Sequence, residues 1–373
     1  MKKALAMVSV MAIFTLSLGA AWTKKRLTYN AGDSQAPAVA AEGANVCVAY
    51  VDDTPGNDEI YFRRSADGGA TWQSAKRLTN NTQLSASPRL AVSGANVYVV
   101  WYDEAPGNAQ IYFRRSNDYG ATWQAEKRLT FNPEYSYLPD IAASGANVYV
   151  AWSDSNPGNL EIYFRHSSDN GATWQTAKRL TSNSGFSAYP ALAASGANVY
   201  VAWTDCSSGN CEIYFRRSAD GGATWQSAKR ITNNTGNSDF SRIASSGSNI
   251  YLVWVDDIPG NFDIYFRKSV DGGGTWQTAQ RLTNNAGNSY EPAIASSGSN
   301  VYVAWYDETP GNLEIYFRKS TDNGATWQTA IRLTNNSVGD SYSDITVGDV
   351  NVFVAWDEWV STDYEIFLKY SPR

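Results

Sequence analysis

Charged and aromatic residues interrupt an otherwise regular chain at columns spaced by 51 residues. One column reads Ala38, Arg89, Asp140, Ala191, Arg242, Ala293 and Asp344. Two residues earlier stand Ala36, Ser87, Leu138, Tyr189, Phe240, Glu291 and Tyr342, and one before that Gln35, Ala86, Tyr137, Ala188, Asp239, Tyr290 and Ser341. Arginine grips carboxylate or phosphate through a planar fork of donors. Two carboxyl groups flanking a cleft can share the acid and base roles of glycoside hydrolysis. Exposed Tyr and Phe offer flat faces to ligands. A further column, Asp52, Asp103, Asp154, Asp205, Asp256, Asp307 and Glu358, is a ring of carboxylates. Such a set could bind calcium through oxygen ligands, although a repeated Asp more commonly satisfies the amides of its own loop.

The elements that carry these columns are short strands. In one repeat, residues 292–296, Asn300–Asp307, Glu314–Ser320 and 326–334 are rich in β-branched and aromatic residues. Pro-Gly-Asn separates the second from the third, and Asp-x-Gly the third from the fourth, both turn signals. Four strands per 51 residues is the period of a propeller blade. The strand-two aromatic recurs seven times (Tyr50, Trp101, Trp152, Trp203, Trp254, Trp305, Trp356), as does an Arg before Leu-Thr or Ile-Thr (Arg26 to Arg332). The last repeat ends after its third strand, while WTKKRLT near the start reads as a fourth. The sequence therefore predicts an all-β, seven-bladed β-propeller of four-stranded antiparallel blades. Its N-terminal strand completes the C-terminal blade and removes two exposed edges.

Between strands three and four the octapeptide SADGGATW (65–72) returns six times, with its Asp at Asp67, Asp118, Asp169, Asp220, Asp271 and Asp322. This Ser-x-Asp-x-Gly-x-Thr-Trp pattern resembles the Asp-box, or bacterial neuraminidase repeat, of the sialidase superfamily. The resemblance covers residues 22–373 and implies that the boxes lie on the face opposite a ligand site. The residues agree with a structural role: Asp accepts turn amides, Gly permits a positive φ, and Trp buries a large surface on the neighbouring blade. Any unique site is expected on the other face, at the channel mouth, where the columns described first are expected to begin the innermost strands.

The resemblance also implies a mechanism: three arginines around a carboxylate, a Tyr nucleophile assisted by Glu, and an Asp acid/base. The chain offers Arg89 and Arg242 but no third equivalent and no Phe/Tyr-Arg-Ile-Pro motif. Asp140, Tyr290, Glu291 and Tyr342 are the remaining candidates for chemistry. Tyr137, Tyr189, Asp239, Phe240 and Asp344 are candidates for ligand contact. The reading that follows is a binding module or scaffold for glycan or protein, with exo-sialidase-like hydrolysis as the alternative.

Residues 1–21 read as a signal peptide, with Lys2 and Lys3 followed by an uncharged apolar run and small residues. The expectation is a secreted monomer without membrane insertion. Thirty basic against 36 acidic residues, net −6, argue against nucleic acid. Cys206 and Cys211 enclose four residues of a hairpin and are expected to form a disulfide; Cys47 is expected to be a buried thiol. His166 is the only His, which excludes a Ser–His–Asp triad. It belongs to a column (Arg64, Arg115, His166, Arg217, Lys268, Lys319) expected to be solvated.

Overall fold

The second strand of each repeat is apolar on both faces, which a single-faced sheet could not tolerate. In Asn300–Asp307, Val301, Val303 and Trp305 pack toward the preceding blade, and Tyr302 and Ala304 toward the following one. All five are buried. A sheet lodged between two others must bury both sides, and radial packing of blades satisfies that demand.

The computed structural model describes residues 21–373 except Pro157 and Pro259; the signal-peptide reading thus falls almost wholly outside the described residues. These residues form seven four-stranded antiparallel sheets. The first six span 34–77, 85–128, 136–179, 187–230, 238–281 and 289–332. The seventh is built from Asp340–Val347, Asn351–Val360 and Asp363–Pro372, with Thr23–Arg26 as its outer strand. Each innermost strand touches those of the blades beside it, and Ser34–Glu42 meets Asp340–Val347, so the ring closes. Closure is reinforced where Arg26 pairs with Glu365 at 2.7 Å and Lys24 with Glu358 at 2.5 Å.

Strands two and three of the representative repeat have the predicted bounds. The fourth is shorter than predicted, only two residues in the first six blades, as in Ile331–Arg332. Before it the chain holds to strand three at a single point, where Gln328 N donates to Lys319 O at 2.9 Å and Arg318 Nε donates to Gln328 O at 2.9 Å. The Arg of Arg-Leu-Thr clips this short edge to strand three: Arg77, Arg179, Arg230 and Arg332 pair with buried Glu59, Glu161, Glu212 and Glu314 at 2.6–2.8 Å.

In the first box, the Asp67 carboxylate accepts from Thr71 N (2.8 Å), Thr71 Oγ1 (2.5 Å) and Ser65 Oγ (2.7 Å). These hydrogen bonds, those of Thr71 foremost, lower its pKa to about 2. In five seams the box Gly lies against a Phe of the preceding blade. A Cβ on Gly222 would sit 2.3 Å from Phe164 Cε1. The box Trp meets the same Phe edge to face, at 4.9–5.1 Å.

One expectation fails here. The basic column is not a solvated surface but a set of clamps. Arg64 donates to Asp118 O and Tyr119 O of the next box, Arg115 to Asp169 O and Asn170 O, Arg217 to Asp271 O and Gly272 O, and Lys268 to Asn323 O. His166, expected to be exposed, is half-buried. It stacks on Tyr149 at 4.8 Å and lies 3.0 Å from Asn147 Oδ1, and burial lowers its pKa.

Candidate functional site

The column of Arg89 and Arg242 does not begin the innermost strands, as expected, but follows a bulge inside them, with the Ala36 column on the bulge and the Gln35 column just before it. Gln35 pairs with Val51 and Ala38 with Ala49, leaving two residues opposite one, and the same shift recurs in every blade. The bulged positions Ala36, Ser87, Leu138, Tyr189, Phe240, Glu291 and Tyr342 all have φ between 44° and 55°. Left-handed backbone at a non-glycine residue costs about 1–2 kcal/mol. Here it is held at all seven positions by ring packing. A bulge re-aims the side chains beside it, and it turns the following column into the axial cavity.

That cavity is about 210 Å³ and draws on all seven innermost strands. Arg89, Asp140, Arg242, Glu291, Tyr342 and Asp344 line it. The structure thus brings together six of the residues picked from sequence. The others stand around it. Tyr189 meets Phe240 at 4.7 Å, and Tyr137 lies close enough to Tyr189 to feel its charge. Asp239 accepts from Thr204 Oγ1 at 2.6 Å. Tyr290 packs away from the axis, against Phe262 and Tyr306.

The charges in the cavity have unequal partners. Asp140 accepts the Leu192 amide of the next blade at 2.6 Å, and Asp344 accepts the Val39 amide across the ring closure at 2.8 Å. Burial raises both pKa values, opposed by Arg89 and Arg242. Burial also raises Glu291, again opposed by the two arginines. Arg89 donates to Pro88 O (3.1 Å) and Arg242 to Ser241 O (3.2 Å), and among the described residues neither has a carboxylate within ion-pair distance. Burial, then the charge of Arg89, lowers the pKa of Arg242. The cavity therefore holds two guanidinium groups with most of their donors uncommitted.

Sequence reasoning missed Asp357. It accepts Ser341 Oγ at 2.7 Å and the Ala36 amide at 3.0 Å, and its charge is felt by Tyr342. Burial, aided by Glu291, raises its pKa to about 7. Its column elsewhere reads Val51, Tyr102, Ser153, Thr204, Val255 and Tyr306, so one acid among neutral residues was the available signal. Also missed were Phe131, Tyr135 and Phe186, large exposed aromatics on fourth-to-first connections of this face.

The carboxylate ring is spoken for by its own blades. Asp103 accepts from Trp101 Nε1, Ser85 Oγ, Asn81 Nδ2 and the Ala105 amide, and the other Asp members are engaged similarly. Glu358 accepts from Trp356 Nε1 and Lys24. Among the described residues no group of three or more His, Cys, Asp or Glu is placed to hold a metal ion. Cys206 and Cys211 form a disulfide on the second-to-third connection of the fourth blade. Cys47 is a free buried thiol, which burial pushes up to about 12.

The chain has counterparts among known proteins. The model of the BNR repeat-like domain family matches residues 144–354. The chain belongs to the BNR repeat-like family. This BNR repeat protein is a seven-bladed propeller of Asp-box blades. It is 24% identical over 242 residues to the xyloglucanase Xgh74A of Acetivibrio thermocellus, and the match spans 57% of the chain but only 28% of that relative. Among solved structures its fold is similar to the phage phi92 endosialidase (TM-score 0.58, 9% identity, 95% of this chain and 69% of that one). It is also similar to the Trypanosoma rangeli sialidase in complex with the inhibitor DANA (0.55, 12%, 94% and 60%). The GH93 α-L-arabinofuranosidase of Fusarium graminearum with arabinobiose is another such structure (0.56, 13%, 77% and 93%). At these identities the likeness shows the fold, and the site must speak for the activity.

Proposed function

We propose that this BNR repeat protein is a secreted glycan-binding propeller that takes a carboxylate-bearing sugar at the channel mouth. One observation carries the reading: Arg89 and Arg242 face a shared cavity with no carboxylate partner of their own. A guanidinium removed from water favours an anion with bidentate geometry. Glu291, Tyr342 and the exposed aromatics of the same face supply hydrogen bonds and flat surface for a sugar ring. The apolar leader at residues 1–21 and the Cys206–Cys211 disulfide support secretion. The neighbours named for sialidase and arabinofuranosidase activity support a carbohydrate ligand by analogy.

The test is a glycan array run beside a fluorogenic sialoside assay, with the parent chain and Arg242→Ala. Binding confined to acidic glycans and lost in Arg242→Ala is expected. Binding that prefers neutral glycans, or that survives the substitution, rejects the reading.

A second reading, hydrolysis at the same mouth, is favoured by Glu291 and Asp357. Both are carboxyl groups whose burial favours the protonated form, the condition of a general acid. Turnover of the sialoside, abolished in Glu291→Gln while binding persists, would establish it.

A further inference from the structure

In six blades the Arg of the outermost strand is neutralised by a buried carboxylate of strand three, at 2.5–2.8 Å. The second blade has Gln110 in that column. Its arginine, Arg128, has no carboxylate within ion-pair distance among the described residues. Gln110 turns to the following connection instead, where its Nε2 donates to Asn132 O at 3.2 Å and to Glu134 O at 2.8 Å. Arg128 donates to Thr130 O at 2.6 Å and to the neutral Tyr112 hydroxyl. An unpaired positive charge therefore stands on the outer strand of one blade only.

The connection that leaves this strand is also unlike the other six. It crosses the mouth face to the innermost strand of the third blade and carries Phe131, Tyr135 and Tyr137. Phe131 stands where four connections have Asn80, Asn233, Asn284 and Asn335. Tyr135 stands where three have Asn237, Asn288 and Gly339, and no other connection is aromatic at all three positions. Phe131 is 73% exposed and Tyr135 50%. Both are held in place. The Arg128 guanidinium lies 5.0 Å from the centre of the Phe131 ring. Ser155 N donates to Tyr135 O at 2.9 Å, and Tyr135 N donates to Ser155 Oγ at 3.1 Å. Asp140, three residues beyond Tyr137, already lines the axial cavity.

These residues mark a line from rim to axis. Arg128 is on the outermost strand of the blade whose innermost strand carries Arg89. Three strand spacings separate those strands, about 14 Å, which is wider than one sugar ring. Asn132 and the exposed Glu134 interrupt the aromatic residues, so they do not form the continuous apolar patch that a folded protein partner would cover. Flat faces between polar groups suit sugar rings.

We infer that the channel mouth takes an acidic oligosaccharide lengthwise. One acidic sugar lies in the axial cavity, the following rings lie over Tyr137 and Tyr135, and a second carboxylate at the far end meets Arg128 beside Phe131. The inference rests on the carboxylate-binding reading above and adds the ligand's length and direction. Glu134 is the charge on this connection that opposes the ligand.

Isothermal titration calorimetry of the whole chain tests it, with galacturonic acid and its linear tetramer and with sialic acid and its linear trimer. In at least one series the oligomer is expected to bind about tenfold or more tighter than the monomer, the scale of one added charged contact. Gln110→Glu gives the second blade the ion pair of the other six. The variant should fold, lose that gain and keep the monomer's affinity. Phe131→Asn, the residue of four other connections, should remove part of the gain, and Glu134→Gln should raise it. Equal affinities of monomer and oligomer in both series, or a gain that survives Gln110→Glu, overturn this inference. The mouth reading then still stands on monomer binding that is lost in Arg242→Ala. No binding of any of the four sugars overturns both.

Discussion

The two faces of the ring use the same residue, aspartate, to opposite ends. On the box face Asp67 and Asp220 are solvent-exposed and hydrogen-bonded to the Thr, Ser and amides of their own turns, which lowers their pKa to about 2. On the mouth face Asp357 is buried and Asp140 and Asp344 are half-buried, and loss of water raises their pKa despite hydrogen bonds to other blades. The first arrangement is local, complete and copied six times. The second depends on how the blades meet, differs at every blade and leaves two arginines unpaired. Uniform satisfaction supports stability. Uneven satisfaction, with left-handed backbone at seven non-glycine residues, is where a ligand can be accommodated.

The largest expected effect breaks the box face. Gly222→Ala places a Cβ against Phe164 at a backbone φ of 85°, and the unfolding free energy should fall by about 3 kcal/mol. Thermal denaturation of the variant beside Gly209→Ala, where φ is also positive but nothing lies within 4 Å, separates the packing part from the backbone part. Next comes the one covalent clasp on the mouth face. Cys206→Ser with Cys211→Ser should lower stability by roughly 2 kcal/mol from loop entropy and leave glycan binding intact, as a denaturant titration with and without reductant would show.

The two faces should also separate by pH. The box carboxyls have lowered pKa values, so their stabilisation is full above the ordinary carboxylate range and is lost as pH falls toward 2. Asp357 and Asp340 are raised to about 7 by burial, so the folded protein holds their protons longer than the unfolded chain does. Between about pH 4 and 7 stability should then fall as pH rises, on the order of 1 kcal/mol per pH unit for each group. Asp340 stands where the other blades have Ser34, Ser85, Ser136, Ser187, Ser238 and Ser289. Asp340→Ser should therefore flatten that slope without touching the acid limb. A stability profile of this variant that still falls toward pH 7 as steeply as the parent's would contradict the assignment. The smallest effect is expected from Ala36→Gly at φ 51°, which relieves left-handed strain and should stabilise by up to about 1 kcal/mol. Chemical denaturation would resolve it, and a loss of stability would show that the bulge is not strained.

Much of this was legible in the chain. The alternation in Asn300–Asp307, the Pro-Gly-Asn and Asp-x-Gly turns and the count of seven strand-two aromatics specify blades, because strand and turn preferences act over a few residues. The place of WTKKRLT as the missing outer strand follows from the same period. At the mouth, the columns containing Arg89, Arg242 and Glu291 stood out by difference alone. Asp357 escaped because its column lies on the second strand, where the repeat is otherwise apolar or neutral. The clamp made by Arg64, Arg115 and Arg217 escaped for another reason: its acceptors are main-chain carbonyls of the next blade, to which no residue type corresponds.

The sequence by itself thus determined seven blades, the box turns, the disulfide and the closure of the ring, since each rests on local periodicity or on the same pattern repeated. Only the tertiary structure decided which charges face one another. Asp140 is held by an amide 52 residues away, Asp344 by one 305 residues away, and Arg242 meets the fields of both. Those relations are set by the angle between packed sheets and by the bulge that turns each inner strand, and neither is encoded in the spacing of any single blade.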